Sequence, residues 1–204
     1  DLGILSIKPL QEITPQTKES SENFMIECLI CKSKETSKYW DQVWGAKDMH
    51  VRRCAQCESF FLYPPRTAEE QKTFDSEYNN YVTVRDKQVE RESTTVIQDF
   101  IDDGTLERFT DLKKFFKSAN SVLEIGSERG RFLSLLKNSV QTIVAVDSCP
   151  EYKEALQSKG FKAYSYLDEV PKDSKFDRIC FFYVFEHVID PVSFLKRLAT
   201  NLSD

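Results

Sequence analysis

A chain of 204 residues, 40% hydrophobic and 30% charged, carries enough apolar material for one ordinary core and a small appended domain. Its net charge of -5 supplies no overall positive field for a phosphate backbone, which disfavours nucleic acid as a partner. No apolar run approaches a bilayer span and no basic-then-apolar leader opens the sequence, so a protein of the cytoplasm with no membrane partner is expected.

Residues 1–22 are polar, contain Pro9 and Pro15 and keep no sustained period, so they read as an arm or linker. Residues 23–65 then carry two Cys-x-x-Cys pairs, Cys28 with Cys31 and Cys54 with Cys57, separated by 22 residues. That pattern builds a tetrahedral four-thiolate site, and structural Zn2+ is the expected occupant. Four free thiols or a disulfide pair are the alternatives, and neither explains why both pairs share a two-residue gap. With four protein ligands no position stays open for water, so such an ion organises structure and does not catalyse. Lys32 and Glu58 stand directly after the second cysteine of each pair, where such knuckles often place glycine. His50 reads as a loop residue, Cys180 as a small core hydrophobe and Cys149 as a helix-start residue.

A helical connector is expected over 66–117. Thr67 and Glu70 form a capping box that starts a helix running to about Glu77. Tyr78 to Val82 reads as a polar-aromatic segment, and the apolar spacing between Arg85 and Lys117 suggests two helices broken near Asp102-Asp-Gly104. From residue 118 strand and helix alternate: strand 121–126, helix 130–138, strand 142–147, helix 150–159, strands 161–166 and 177–184, and helix 191–201. Alternation of this kind predicts an α/β fold with a parallel, Rossmann-like sheet covered by helices. Pro150 and Pro191 suit first helical positions, and Gly160 suits a helix end.

Residues 122–133, VLEIGSERGRFL, join an apolar strand to a helix through a turn with Gly126 and Gly130. Their Gly-x-x-x-Gly spacing fails both the dinucleotide fingerprint and the phosphate-binding loop that ends in Gly-Lys-Ser/Thr. The second strand ends in Asp147, 21 residues after Gly126, at the place where doubly wound folds put an acid on ribose hydroxyls.

Taken in this order, the motifs resemble the class I S-adenosylmethionine-dependent methyltransferases. Residues 123–130 are similar to the family's first motif, Asp147 to its second-strand acid, and residues 185–191, FEHVIDP, to the Leu-Glu-His-Val-x-Asp-Pro segment of many small-molecule members. The paired cysteines followed by FFLYPPRT resemble a bacterial subgroup in which a zinc-binding module precedes the methyltransferase domain, often in sugar and secondary-metabolite pathways. The resemblance implies S-adenosylmethionine as cofactor and a small-molecule methyl acceptor. Glu124, Gly126, Ser127, Glu128 and Gly130 then surround the methionyl part. Asp147 with Ser148 holds the ribose, Tyr166 meets the adenine, and Phe182 completes the set. Backbone amides at the start of the 130–138 helix suit the cofactor carboxylate. Glu128 departs from the glycine of most members, as do carbon-methylating relatives with Gly-Ser-Asn-Asp-Gly. His187, Glu186 and Tyr183, near the end of the fourth strand, are the catalytic candidates. The family sheet continues for three further strands, so an incomplete domain over 118–204 is expected. A non-catalytic methyltransferase-like protein, acting as a zinc-ribbon interaction or nucleic-acid module, is the alternative.

Overall fold

The computed structural model describes residues 26–43, 46–92 and 104–203, and the chain divides into two units, residues 1–64 and 65–204. The expected arm over 1–22 and the stretch 93–103, where two connector helices were to meet, lie outside the described residues.

In the first unit, β1 (Thr36–Trp40), β2 (His50–Cys54) and β3 (Phe60–Tyr63) form an antiparallel sheet in that order. Each cysteine pair makes the same tight turn. The Cys28 amide donates to the Ser33 carbonyl and the Cys54 amide to the Ser59 carbonyl, at 2.8 and 2.9 Å. Lys32 and Glu58 take positive φ values of 63° and 58°. The knuckles thus adopt the left-handed conformation for which glycine is the cheapest residue, with side chains present. His50 opens β2 and is not in a loop, because it pairs with Tyr63 and packs its ring 5.6 Å from that tyrosine's.

In the second unit, the capping box forms as the sequence implies. The Thr67 amide donates to Glu70 Oε2 at 2.7 Å and the Glu70 amide to Thr67 Oγ1 at 3.2 Å. The helix it starts, α1 (Ala68–Glu92), does not stop near Glu77. Tyr78, read as irregular beside Asn79 and Asn80, stacks at i+4 on Phe74 with ring centroids 6.0 Å apart, and such packing overrides weak local propensity. Next comes α2 (Thr105–Leu112).

Four parallel strands follow: β4 (Ser121–Ile125), β5 (Thr142–Val146), β6 (Lys162–Tyr164) and β7 (Arg178–Phe181), in spatial order β6-β5-β4-β7. Between them run α3 (Arg131–Leu136) and α4 (Pro150–Ser158), and α5 (Pro191–Ala199) comes after β7. Alternation along β4 sorts its side chains to two faces. Val122 packs with Phe132, Leu133, Leu136 and Leu156. Leu123 and Ile125 pack with Val144, Val146 and Leu198. Both faces are covered, as a parallel sheet requires. Asp190 caps α5 by accepting from the Ser193 amide at 3.0 Å, with Pro191 in the first turn.

The apolar run expected as strand 177–184 pairs only as far as Phe181. Its partner β4 ends at Ile125 and turns at Gly126, so no ladder remains for the backbone beyond Phe181 to join. Strand 161–166 shortens to 162–164 for the same reason, since β5 offers it only Val144–Val146. Glu186 and His187 therefore sit in a 3-10 turn, Phe185–His187, and not on a strand end. No helix among the described residues is long and apolar enough to cross a membrane.

Candidate functional site

The carboxyl ends of parallel strands are where open α/β sheets take ligands. Here a cavity of about 810 Å³ opens at those ends. The turn after β4 supplies Gly126, Ser127 and Glu128, and the end of β5 supplies Asp147 and Ser148. The segment after β7 adds Phe182, Tyr183 and His187, and the outer wall comes from Phe74 and Tyr78 of α1 and Arg108 of α2.

Gly126 has φ 72°, and a Cβ there would overlap the Cγ2 methyl of Val184. Glycine thus lets the β4 turn pass under the segment after β7. Gly130 caps α3 with φ 69°, and a Cβ on it would lie 2.7 Å from Leu156 Cδ2. It shapes the turn from behind and is not on the cavity wall. The turn's amides are turned inward. Those of Gly126 and Ser127 donate to the Val146 carbonyl at 2.9 and 3.2 Å, and that of Gly130 to the Ser127 carbonyl at 2.7 Å. The Glu128 amide donates to Asp147 Oδ2 at 2.7 Å. Glu128 does this from a φ of 46°, in the left-handed region that glycine occupies more cheaply.

Asp147 is 8% exposed. Its Oδ1 accepts from the Cys149 amide at 2.9 Å, leaving each oxygen one lone pair for a ligand. Burial pushes its pKa up to about 6, against the pull of the Cys149 and Glu128 amides. Glu124 is 3% exposed on the central strand, and its Oε2 has no hydrogen-bond partner among the described residues. Burial lifts its pKa well above the usual carboxylate range, with the Arg108 charge opposing. An orphaned carboxyl oxygen facing a cavity fits a ligand that brings its own donors, such as an ammonium group. The Ser127 hydroxyl is spent on the Glu124 carbonyl at 2.9 Å, so that side chain holds the turn. Ser148 and Tyr166 line the cavity from exposed positions, and Phe182 packs edge-on against Phe132 at 4.9 Å.

Of the three catalytic candidates, the structure brings two to the cavity. Tyr183 is 77% exposed there, with φ 56°. His187 lies 5.2 Å from the Phe74 ring and 6.3 Å from that of Tyr78, and its buried Nδ1 has no partner among the described residues. Burial lowers its pKa, which favours the neutral imidazole. Glu186 is exposed and off the wall. Sequence reasoning missed Phe74 and Tyr78 of α1 and Arg108 of α2; the signal for the two rings is their i, i+4 spacing in an otherwise charged segment.

In the first unit, the Sγ atoms of Cys28, Cys31, Cys54 and Cys57 all lie within 4.8 Å of one another, and none is in a disulfide. Cys28 approaches Cys57, and Cys31 approaches Cys54, at 3.6 Å. Tetrahedral zinc with ligands at about 2.3 Å separates its sulfurs by about 3.8 Å, so the cluster fits that ion. The Ser59 hydroxyl, 3.0 Å from Cys57 Sγ, helps to hold that thiol down to about 6. His50 is not part of the cluster.

A family profile described as a methyltransferase domain matches residues 95–204, which is 110 of the 204 residues. Among solved structures the chain is similar to the N-methyltransferase NodS from Bradyrhizobium japonicum WM9, solved with S-adenosyl-L-homocysteine. That match has 19% identity and a TM-score of 0.43, over 48% of this chain and 56% of the other. A SAM dependent methyltransferase from Archaeoglobus fulgidus matches at 27% identity and TM-score 0.38, over 46% of this chain and 43% of the other. The YcgJ protein from Bacillus subtilis matches at 24% identity and TM-score 0.42, over 50% and 47%. The chain spans about half the length of these structures. No curated protein matches it.

Proposed function

The chain belongs to the methyltransferase-domain family, and from that premise we propose that it transfers a methyl group from S-adenosylmethionine to a small-molecule acceptor of sugar or secondary-metabolite type. The observation that carries this reading is the pair of buried carboxyls, Glu124 and Asp147, facing one cavity at the strand ends. When bound, the cofactor supplies an electrophilic methyl on a sulfonium sulfur.

The residues divide the remaining work. Glu124 meets the ammonium of the amino-acid end, and Asp147 accepts from ribose hydroxyls on the lone pairs its two amide bonds leave open. Tyr166 and Ser148 border the adenosine end. Phe74, Tyr78 and Phe182 exclude water from the acceptor side, while His187, kept neutral by burial, takes the proton of an acceptor hydroxyl or amine. Tyr183 is positioned to orient the acceptor. In the first unit Cys28, Cys31, Cys54 and Cys57 hold a structural zinc ion, as the 3.6 Å sulfur spacings favour.

Calorimetric titration with S-adenosylmethionine and S-adenosylhomocysteine tests the reading, followed by turnover on a panel of sugar and phenolic acceptors. Saturable binding with methyl transfer supports it. Absence of heat with either ligand would remove the cofactor from the account. Binding without transfer to any acceptor would favour a non-catalytic methyltransferase-like protein.

A further inference from the structure

The cavity wall that α1 supplies is only half apolar. Gln71, Phe74, Asp75, Tyr78 and Asn79, at i, i+3, i+4, i+7 and i+8, line the cavity and are half-buried, while Lys72, Thr73, Ser76 and Glu77 between them are exposed. A helix face packed on an apolar core carries apolar side chains at such places. Here Phe74 and Tyr78 form one row, and Gln71, Asp75 and Asn79 form a second beside it. Gln71 Nε2 donates to Asp75 Oδ1 at 2.6 Å, which fixes that carboxylate and leaves Oδ2 without a hydrogen bond to any described residue. The same helix meets His187, whose ring lies 5.2 Å from that of Phe74 and whose buried Nδ1 has no partner among the described residues. Burial holds the His187 pKa below its usual value; the Glu186 charge raises it, that of Arg66 lowers it and that of Asp75 raises it. Glu186 is exposed and off the wall, and Arg66 is stacked on Phe74 at 3.9 Å. Of the carboxylates lining the cavity, Asp75, Glu124, Glu128 and Asp147, the first is the one that bears on His187.

We propose that Asp75, held by Gln71, is the positioning residue for His187: a fixed carboxylate in the same cavity that counters the positive charge the imidazole takes on with the acceptor's proton. This rests on His187 serving as the base in the reading above. Methyl transfer leaves the methyl–sulfur bond pair on sulfur and forms a bond from the acceptor's oxygen or nitrogen to carbon, so one proton is set free. That proton goes to an imidazole lone pair and from there to water, with Asp75 ionised throughout. An imidazolium in a half-buried aromatic setting is unfavourable without an anion, and a carboxylate already in place needs no reorganisation when the charge appears. Asp75 thus restores to His187 part of the basicity that burial beside Phe74 and Tyr78 removes.

Proton NMR of the full chain follows its two histidines, His50 and His187, through pH, and His187→Gln identifies the His187 signal by its loss. In D75N, which keeps the size and the bond from Gln71, His187 should titrate about 0.5–1 pH unit lower than in wild type, and in D75E near the wild-type value. On the acceptor that the turnover panel identifies, D75N should lower kcat about tenfold with KM within about twofold, and should carry the acid limb of kcat/KM down by the same pH interval. D75E should recover most of the rate. A thermal unfolding midpoint for D75N near that of wild type excludes loss of fold, and if D75N unfolds, D75S carries the comparison. An unmoved His187 titration overturns the pairing, whatever the rate. A moved titration with unchanged kcat and pH profile overturns the role in transfer while the cofactor reading stands. If wild type transfers no methyl group to any acceptor, the reading beneath the proposal fails and the proposal with it.

Discussion

Gly126→Ala isolates what the β4 turn demands. A side chain at φ 72° costs about 1–2 kcal/mol. Driving its Cβ into the Val184 methyl adds about 1–3 kcal/mol of overpacking. Stiffening of the unfolded chain returns about 0.4–1 kcal/mol, leaving a net loss of about 1–4 kcal/mol. Against a domain stability of about 5–15 kcal/mol, that is a large fraction. Both tryptophans, Trp40 and Trp44, precede residue 65, so fluorescence reports the first unit. The second is better followed by hydrogen exchange in β4 and β5 peptides during urea titration. Val184→Ala removes the obstructing methyl and costs about 1 kcal/mol alone. In the double variant the steric part should vanish while the φ cost remains, giving a coupling of about 1–3 kcal/mol. If Gly126→Ala costs under about 0.5 kcal/mol, or if the two effects simply add, the close approach of this turn to Val184 is not what glycine serves.

Three further outcomes are expected. Elemental analysis after purification without chelator should find about one zinc per chain, and Cys54→Ser, at a fully buried ligand, should abolish it and shift tryptophan fluorescence to that of an unfolded first unit; less than about half an equivalent in wild type would count against the site. Asp147 has a folded pKa raised to about 6 over an unfolded value of about 3.9, so its contribution to stability is fully present below about pH 4 and lost as pH rises through 6. The stability gap between wild type and Asp147→Asn should therefore change by about 2 kcal/mol between pH 4 and 7, in favour of the variant at the higher pH, and a flat gap would mean the carboxyl is unperturbed. Phe74→Ala removes the ring between Arg66, whose Cζ sits 3.9 Å from its centroid, and His187; it should cost about 1–2 kcal/mol and speed amide exchange in the first turns of α1. Unchanged exchange there would show that α1 is held by other contacts.

What the sequence made legible was whatever a local rule could reach. Thr67 with Glu70, Asp190 with Pro191, and the alternation along β4 each announce an element through its own chemistry. The limits came where the deciding partner lies far along the chain. β7 stops at Phe181 because β4 stops, α1 runs through Asn79 and Asn80 because Tyr78 has rings to pack on, and nothing near Arg108 marks it out from other helix-borne cations. Lys32, Glu58 and Glu128 make a related point. A turn type can be read from spacing, yet each takes a backbone conformation that its residue type would not suggest.

Glu124 pairs with Ala145 on one side and Cys180 on the other, so an ionisable group sits in the middle of a parallel sheet, holding its proton to a higher pH than an exposed carboxyl does. A bound ammonium favours the ionised carboxylate and so pulls that pKa back down. Association of any ammonium-bearing ligand would then release a proton to solution, its heat would vary with the ionisation enthalpy of the buffer, and its affinity would climb with pH as fewer protons remain to be expelled. The sheet's central strand would in this way make ligand capture a titration.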